Sequence, residues 1–257
     1  GIAKLKAASI ETLVGPCALE ATDLNAGFFS RVRHGRPLVT TKIASSLDGR
    51  IATATGESQW ITGPQARARV HALRASHDGI LVGTGTALAD NPELTCRLPG
   101  LSGRSPVRIV LDRTLRLPVS HHLVSAAASV RTWVVTHANA DAGRRSELTR
   151  RGVELIDVPL DRDGRLSLPN VMKSIGARGI TRLLIEPGAE LAASLLRGDL
   201  VDRLIWFQAP TVIGGDGLAA MGGLALSKLI DARRFRVIDT APVGEDLMSL
   251  YHRVGRA

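Results

Sequence analysis

The chain has 257 residues, 44% of them hydrophobic, which is enough for a buried core and for one or two domains. A formal charge of +9 points to anionic partners, but the arginines are scattered and only 3% of residues are aromatic, so a nucleic-acid binder built on base stacking is excluded. Two cysteines, Cys17 and Cys96, form no CxxC pair and make no disulfide framework, and no apolar stretch approaches the length of a bilayer span.

In chain order, the opening GIAKLKAASIETL lacks the long apolar segment of a signal peptide. Ser9–Val14 reads as a short strand, and Ala18–Val32 as one amphipathic helix carrying Leu19, Leu24, Phe28 and Val32 near helical spacing. Gly35-Arg36-Pro37 breaks it. Leu38–Ser46 is the next strand, closed by the Asp48-Gly49 turn. Thr62-Gly63-Pro64 opens a helix that runs to about Ser76, with Val70 and Leu73 facing inward. Strands follow at Gly79–Val82, Val107–Leu111, Thr132–Val135 and Val153–Val158. Helices follow at Leu168–Ala177 and Ala189–Arg197, and strands at Leu183–Glu186, Arg203–Ala209, Phe235–Asp239 and Leu247–His252. Alternating strands and helices that give way to terminal β-structure define an α/β fold, with a largely parallel sheet and an antiparallel C-terminal edge.

Four stretches carry candidate chemistry. Gly83-Thr-Gly-Thr-Ala-Leu88 follows a strand, but Leu88 stands where a dinucleotide fingerprint needs a small residue, so the Rossmann reading fails and a turn near a cofactor remains. In Leu183–Ala192 a strand ends at Glu186 and a Pro-Gly turn feeds a helix, where backbone approaches a ligand and free N–H groups attract phosphate; an ordinary strand–turn–helix joint is the bland alternative. Val212-Ile-Gly-Gly-Asp-Gly217 is either a loop lying on a ligand or a surface turn. The densest stretch begins at Lys42, a charge inside an apolar strand, which is costly unless it is paired or functional. It continues through Ser45–Arg50, Gly56–Thr62, Arg74 and Ala89–Arg97. Arg74 and Arg97 are suited to clamping a phosphate. No HxE with PCxxC, HExxH, GxSxG or Walker loop occurs, so no metal site is legible and redox chemistry would need an organic hydride donor.

The segments KIASSLDGRIATATGESQWITGPQAR, LRASHDGILVGTGTALADNPELTCR, RIVLD, IEPGAELAASLL and APTVIGGDG resemble the reductase domain of the bifunctional riboflavin-biosynthesis deaminase/reductase, from about Arg36 to the C-terminus. The resemblance implies a dihydrofolate-reductase-like three-layer fold. It also implies NADPH-dependent reduction of the ribosyl group of 5-amino-6-(5-phosphoribosylamino)uracil in the cytoplasm, by a homodimer. Residues 1–35 resemble the deaminase tail and linker; the zinc-binding deaminase core is not expected in this chain. By position, the implied substrate contacts are Ser58, Arg74, Leu94, Arg97 and Glu186. The implied NADPH contacts are Ala44, Trp60, Thr86, Asp90, Arg113, Gly188, Ala189, Glu190, Leu191, Ala192, Ala193 and Ser194. Lys42 and Glu186 would orient the pyrimidine and the sugar, Asp90 would order the nicotinamide end, and Arg74 and Arg97 would hold the 5′-phosphate. Pro187 departs from the family's small residue and removes one backbone donor. Competing readings are a reductase of the non-deaminated diaminopyrimidinone and a non-catalytic nucleotide-binding module.

Overall fold

The computed structural model describes residues 1–254. The N-terminal segment carries helices α1 (Ile2–Ala7), α2 (Ala18–Leu24) and α3 (Ala26–His34). Residues 9–14 form no strand: they pair with neither sheet, and an apolar run without a partner edge builds no ladder. The expected single helix is two helices. Asn25 closes α2, with its Nδ2 donating to the Ala21 carbonyl at 2.8 Å, and its own carbonyl opens α3. The apolar positions of the expected amphipathic helix do not face the core. Leu19, Leu24, Phe28 and Val32 are exposed, and Gly27 and Ser30 are buried. Close approach sets this orientation, because a Cβ at Gly27 would lie 2.8 Å from Arg182 Cγ and 2.9 Å from the Thr181 carbonyl oxygen.

From Leu38 the chain alternates: β1 (Leu38–Ser45), β2 (Arg50–Ala52), α4 (Pro64–Ala75), β3 (Gly79–Gly83), α5 (Thr84–Asp90), β4 (Val107–Leu111), α6 (His122–Ser125), β5 (Thr132–Thr136), α7 (Ala142–Arg150) and β6 (Glu154–Asp157). Then come α8 (Leu168–Ala177), β7 (Arg182–Ile185), α9 (Ala189–Arg197), β8 (Arg203–Gln208), β9 (Leu218–Ala219), β10 (Phe235–Val243) and β11 (Asp246–Arg253). Helix α4 starts as its sequence requires, with Gly63 as N-cap and Pro64 at the first position.

Among the described residues, nine strands form one sheet in the order β10-β11-β8-β1-β7-β3-β4-β5-β6. The seven from β8 to β6 run parallel; β11 is antiparallel to β8, and β10 to β11. The remaining two strands, β2 and β9, pair separately. Alternation along each strand sorts the core into layers. Val39, Ile43, Leu81 and Ile109 face a cluster with Val171, Met172 and Ile175 of α8 and Leu195 and Leu196 of α9. On the opposite face, Ile80, Val82 and Val110 pack with Leu123, Val124 and Leu148, and Phe207 with Ala66 and Val70 of α4. Each fully buried Leu, Ile or Val contributes about 1.5–3 kcal/mol. Helices therefore cover both faces, and β1 lies in the middle of the sheet.

Candidate active site

The period of two that sends Val39 and Ile43 into one core layer turns Lys42 and Ala44 to the other face of the sheet. There, α4 presents Arg67, His71 and Arg74 at helical spacing, and α5 presents Thr86 and Asp90 four residues apart. Strand β7 ends just before Glu186, whose backbone N–H donates to the Leu81 carbonyl at 3.0 Å and fixes it beside β3. Lys42, Glu186 and the 90–97 loop all line one hollow of about 570 Å³, together with Ala44, Ser58, Trp60, Arg74, Thr86, Leu94 and Arg97. The Lys42 strand, the 90–97 loop and the end of the Glu186 strand thus meet in one cleft.

Its electrostatics centre on Glu186. The Arg74 fork donates from Nε and Nη2 to the two carboxylate oxygens of Glu186 at 3.0 Å each, with the side chains only 12% and 17% exposed. Burial pushes Glu186 up, but Arg74 and Lys42 outweigh it and hold the carboxyl below its ordinary range. Burial lowers the Lys42 ammonium; Glu186 opposes this and Arg74 adds to it. The Lys42 Nζ lies 5.9 Å from the Phe207 ring centroid. Asp90 is pushed up by burial and then by Glu186. Burial, then Arg74 and Arg97, lower His71, whose Nδ1 lies 3.1 Å from the Thr95 carbonyl oxygen. Arg74 is therefore not the free phosphate clamp expected from the sequence, because its bidentate edge is committed to Glu186. Arg97 is exposed at the mouth and pairs with Glu93 at 2.6 Å. Trp60 is 68% exposed and lies under Arg67, whose Cζ stands 4.6 Å from the ring centroid.

A second hollow, of about 440 Å³, adjoins the start of α5 through Thr84 and Gly85. Arg113, Arg116 and Arg165 line it, as do Glu190, Leu191 and Ser194 of α9. Arg113 and Arg116 are exposed, and among the described residues their guanidinium groups have no hydrogen-bond or ion-pair partner. Gly188 caps α9 and lies against Thr86, whose Oγ1 would be 3.5 Å from a Cβ there; Ala189 begins the helix. Neither lines a hollow. Ala192 and Ala193 do not reach either hollow, which corrects the expected contacts. Both are buried, because the inner face of α9 packs on the sheet.

The Gly83–Leu88 stretch is the N-cap and body of α5 rather than a turn. The 212–217 loop lines neither hollow. It is locked onto the 46–49 turn by Asp48, which accepts from Ser46 Oγ at 2.6 Å, Gly214 N at 2.7 Å and Ile213 N at 3.1 Å. These bonds, the Ser46 hydroxyl foremost, lower the Asp48 carboxyl to about 2. Glycine is needed at 217, where a Cβ would lie 2.7 Å from Ile213 Cγ2 and 2.9 Å from the Ala52 carbonyl oxygen. Sequence reasoning missed Arg67, His71 and His122 in the first hollow; they arrive by tertiary proximity and carry no local signal. It also missed Arg108 behind that hollow, although V-R-I-V-L carries the same sign that marked Lys42, a charge within an apolar strand.

Fold and site together define an α/β domain with helices on both faces, a central charged cleft beside parallel strands, and an adjoining basic hollow. The profile of the RibD C-terminal domain matches residues 37–249, and the chain belongs to that family. The riboflavin biosynthesis protein RibD of Bacillus amyloliquefaciens is 36% identical over 248 residues, covering 96% of this chain and 66% of its own length. The chain thus spans about two thirds of that longer relative. A 2,5-diamino-6-ribosylamino-4(3H)-pyrimidinone 5′-phosphate reductase of Methanothermobacter thermautotrophicus is also 36% identical, over 84% of this chain and 98% of its own length. A solved deaminase/5-amino-6-(5-phosphoribosylamino)uracil reductase from Thermotoga maritima superposes with a TM-score of 0.82 at 29% identity, covering 98% of this chain and 67% of its own.

Proposed function

We propose that the chain is an NADPH-dependent reductase that converts the ribosyl group of 5-amino-6-(5-phosphoribosylamino)uracil to its ribityl form in riboflavin biosynthesis. The observation that carries the reading is the convergence of Lys42, Glu186 and the 90–97 loop on one hollow, next to a second one where Arg113 and Arg116 have no side-chain partner among the described residues and Arg165 pairs with Glu190 at 3.9 Å. The names of the RibD relatives support riboflavin biosynthesis, and that of the Thermotoga maritima reductase supports the substrate class.

The residues fit a phosphorylated dinucleotide. Arg113 and Arg116 offer guanidinium groups that are unpaired among the described residues, and the start of α9, where Glu190 and Leu191 line the same hollow, offers backbone donors, as a phosphate requires. NADPH, when bound, supplies the hydride. On this reading the second hollow takes its phosphorylated adenosine end, and Thr86, Asp90, Trp60 and Ala44 take the nicotinamide end. The glycosylamine sugar opens to an imine at C1′, and this carbon accepts the hydride. Glu186, held ionised and aimed by Arg74, orients the pyrimidine and the sugar hydroxyls. Lys42, which lines the same hollow and acts on the same carboxylate, joins Glu186 in orienting the pyrimidine and the sugar hydroxyls. Leu94 and Ser58 shape the pyrimidine end, and Arg97 at the mouth meets the 5′-phosphate.

Residues 1–35 are, on this reading, the tail and linker of a deaminase domain, and residues 36–257 the reductase domain. The assembly is a homodimer, for which the edge hairpin offers the exposed Val237, Ile238 and Leu247. The compartment is cytoplasmic, and no nucleic acid or membrane takes part. Among the described residues, no helix is long and apolar enough to cross a membrane.

The Methanothermobacter thermautotrophicus relative favours a second reading, reduction of the non-deaminated diaminopyrimidinone, because it is equally identical and nearly fully covered. Comparing NADPH consumption on the two pyrimidines separates them. The first reading expects the uracil to be preferred in kcat/KM, and preference for the diaminopyrimidinone selects the second.

A further inference from the structure

Arg108 stands in β4 between apolar neighbours and is 1% exposed. Among the described residues it forms no ion pair; its guanidinium bonds only neutral oxygens. Nη1 donates to the carbonyls of Glu93 at 3.4 Å and His122 at 3.2 Å. Nη2 donates to the Val130 carbonyl at 2.8 Å and to Thr132 Oγ1 at 2.6 Å. A buried cation is unfavourable unless its protons find acceptors, and an apolar side chain of similar volume fills a core without that penalty. What this side chain adds lies in the four bonds, and they join three separate segments.

Two of those segments border the first hollow. Glu93 and His122 both line it, whereas Arg108 does not. The Glu93 carbonyl belongs to the peptide that enters Leu94, a buried leucine with φ of +56°, in the left-handed region that branched side chains avoid. Such a conformation persists only where its surroundings over-determine it. The His122 side of the tether is tied to the same loop, because the His122 N–H donates to Asn91 Oδ1 at 2.8 Å. The Glu93 carboxylate in turn pairs with Arg97.

We propose that Arg108 is a positioning residue, a guanidinium outside the hollow that fixes the backbone of residues 91–97 and thereby places Leu94 and Arg97 against the pyrimidine nucleotide. This role rests on the function proposed above. It predicts a selective kinetic defect, because the 91–97 loop meets the pyrimidine substrate while the arginines of the second hollow meet the cofactor.

The test compares wild type, Arg108→Met and Arg108→Lys by steady-state kinetics and by hydrogen exchange. For Arg108→Met, KM for the pyrimidine rises about tenfold while kcat and KM for NADPH stay within about twofold. Exchange accelerates in residues 91–97 but not in β1 or β7. Arg108→Lys falls between the two, since one ammonium reaches only part of the acceptor set. A folded Arg108→Met with unchanged pyrimidine KM and unchanged loop exchange overturns the proposal. So does a uniform rise of both KM values with exchange accelerated throughout. If Arg108→Met does not fold, Thr132→Val removes one acceptor and must still accelerate exchange in residues 91–97; unaltered exchange there overturns the role. A wild type that consumes no NADPH with either pyrimidine defeats the functional reading, and the exchange comparison then decides the tether by itself.

Discussion

The two hollows meet along α5 and handle charge in opposite ways. In the first, Glu186 and Arg74 are nearly buried and bonded to each other, with Lys42 acting on the same carboxylate. In the second, Arg113 and Arg116 stand in solvent, and among the described residues their guanidinium groups have no partner. A buried, bidentate pair such as Arg74–Glu186 holds its geometry before a ligand arrives and does not reorganise during reaction. Solvated cations attract and select an anion, and salt screens them over about 10 Å at 0.1 M. On the function proposed above, the contrast assigns chemistry to the first hollow and capture of the cofactor's phosphate to the second.

The largest expected effect comes from breaking the buried pair. Glu186→Ala leaves Arg74 and Lys42 without their carboxylate and costs about 3–5 kcal/mol of folding stability. NADPH oxidation falls by roughly 100-fold or more in the same variant. Chemical denaturation and steady-state assay check both. Replacing the pair together, as Arg74→Met with Glu186→Leu, restores much of the stability but none of the activity. Equal losses in the single and double variants would contradict the pair's internal compensation.

Arg97→Ala sharpens the comparison at the mouth of the first hollow. The pyrimidine KM rises about tenfold, and stability changes by less than about 1 kcal/mol because the Glu93 pair is exposed. Equal damage to NADPH binding would remove its assignment to the 5′-phosphate. Arg113→Ala with Arg116→Ala acts on the second hollow instead. KM for NADPH rises about tenfold, KM for NADH barely moves, and added salt erodes the wild-type advantage. A parallel rise for both cofactors would break the distinction between the hollows.

The smallest effect concerns the loop outside both. The Asp48 carboxyl sits at about 2 in the folded chain, against an ordinary value of 3.8. A depressed acid contributes stability above its unfolded pKa and loses it as pH falls through the folded one. The Tm difference between wild type and Asp48→Asn is therefore full at pH values above 3.8 and shrinks as the pH approaches about 2. A difference that stays constant across that range would contradict the clamp.

Much of this arrangement is legible in the sequence where one physical signal dominates. Leu168–Ala177 and Ala189–Arg197 are helices with the bounds their apolar periodicity predicts, and β1 differs from its expectation by one residue. Helix α7 escapes because AGRRSELTR buries only Leu148 and so has no apolar stripe. Helix α5 escapes because its glycine and threonines resemble a turn. The orientation of α3 follows from Gly27 meeting the Thr181 backbone and the Arg182 side chain, a contact that no local pattern encodes. At the site, Lys42 and Glu186 are readable as a charge in a strand and an acid at a strand's end. The commitment of Arg74 to Glu186, rather than to a phosphate, depends on bringing α4 against β7 across 112 residues of sequence.

The most direct test is the near-ultraviolet absorbance of NADPH, followed with purified chain and 5-amino-6-(5-phosphoribosylamino)uracil, beside Lys42→Ala. The account predicts NADPH loss that depends on the pyrimidine, with one ribityl product formed per NADPH consumed, and its near abolition in Lys42→Ala. Absence of pyrimidine-dependent NADPH loss in the wild type, or the same turnover and substrate binding in Lys42→Ala, would contradict it.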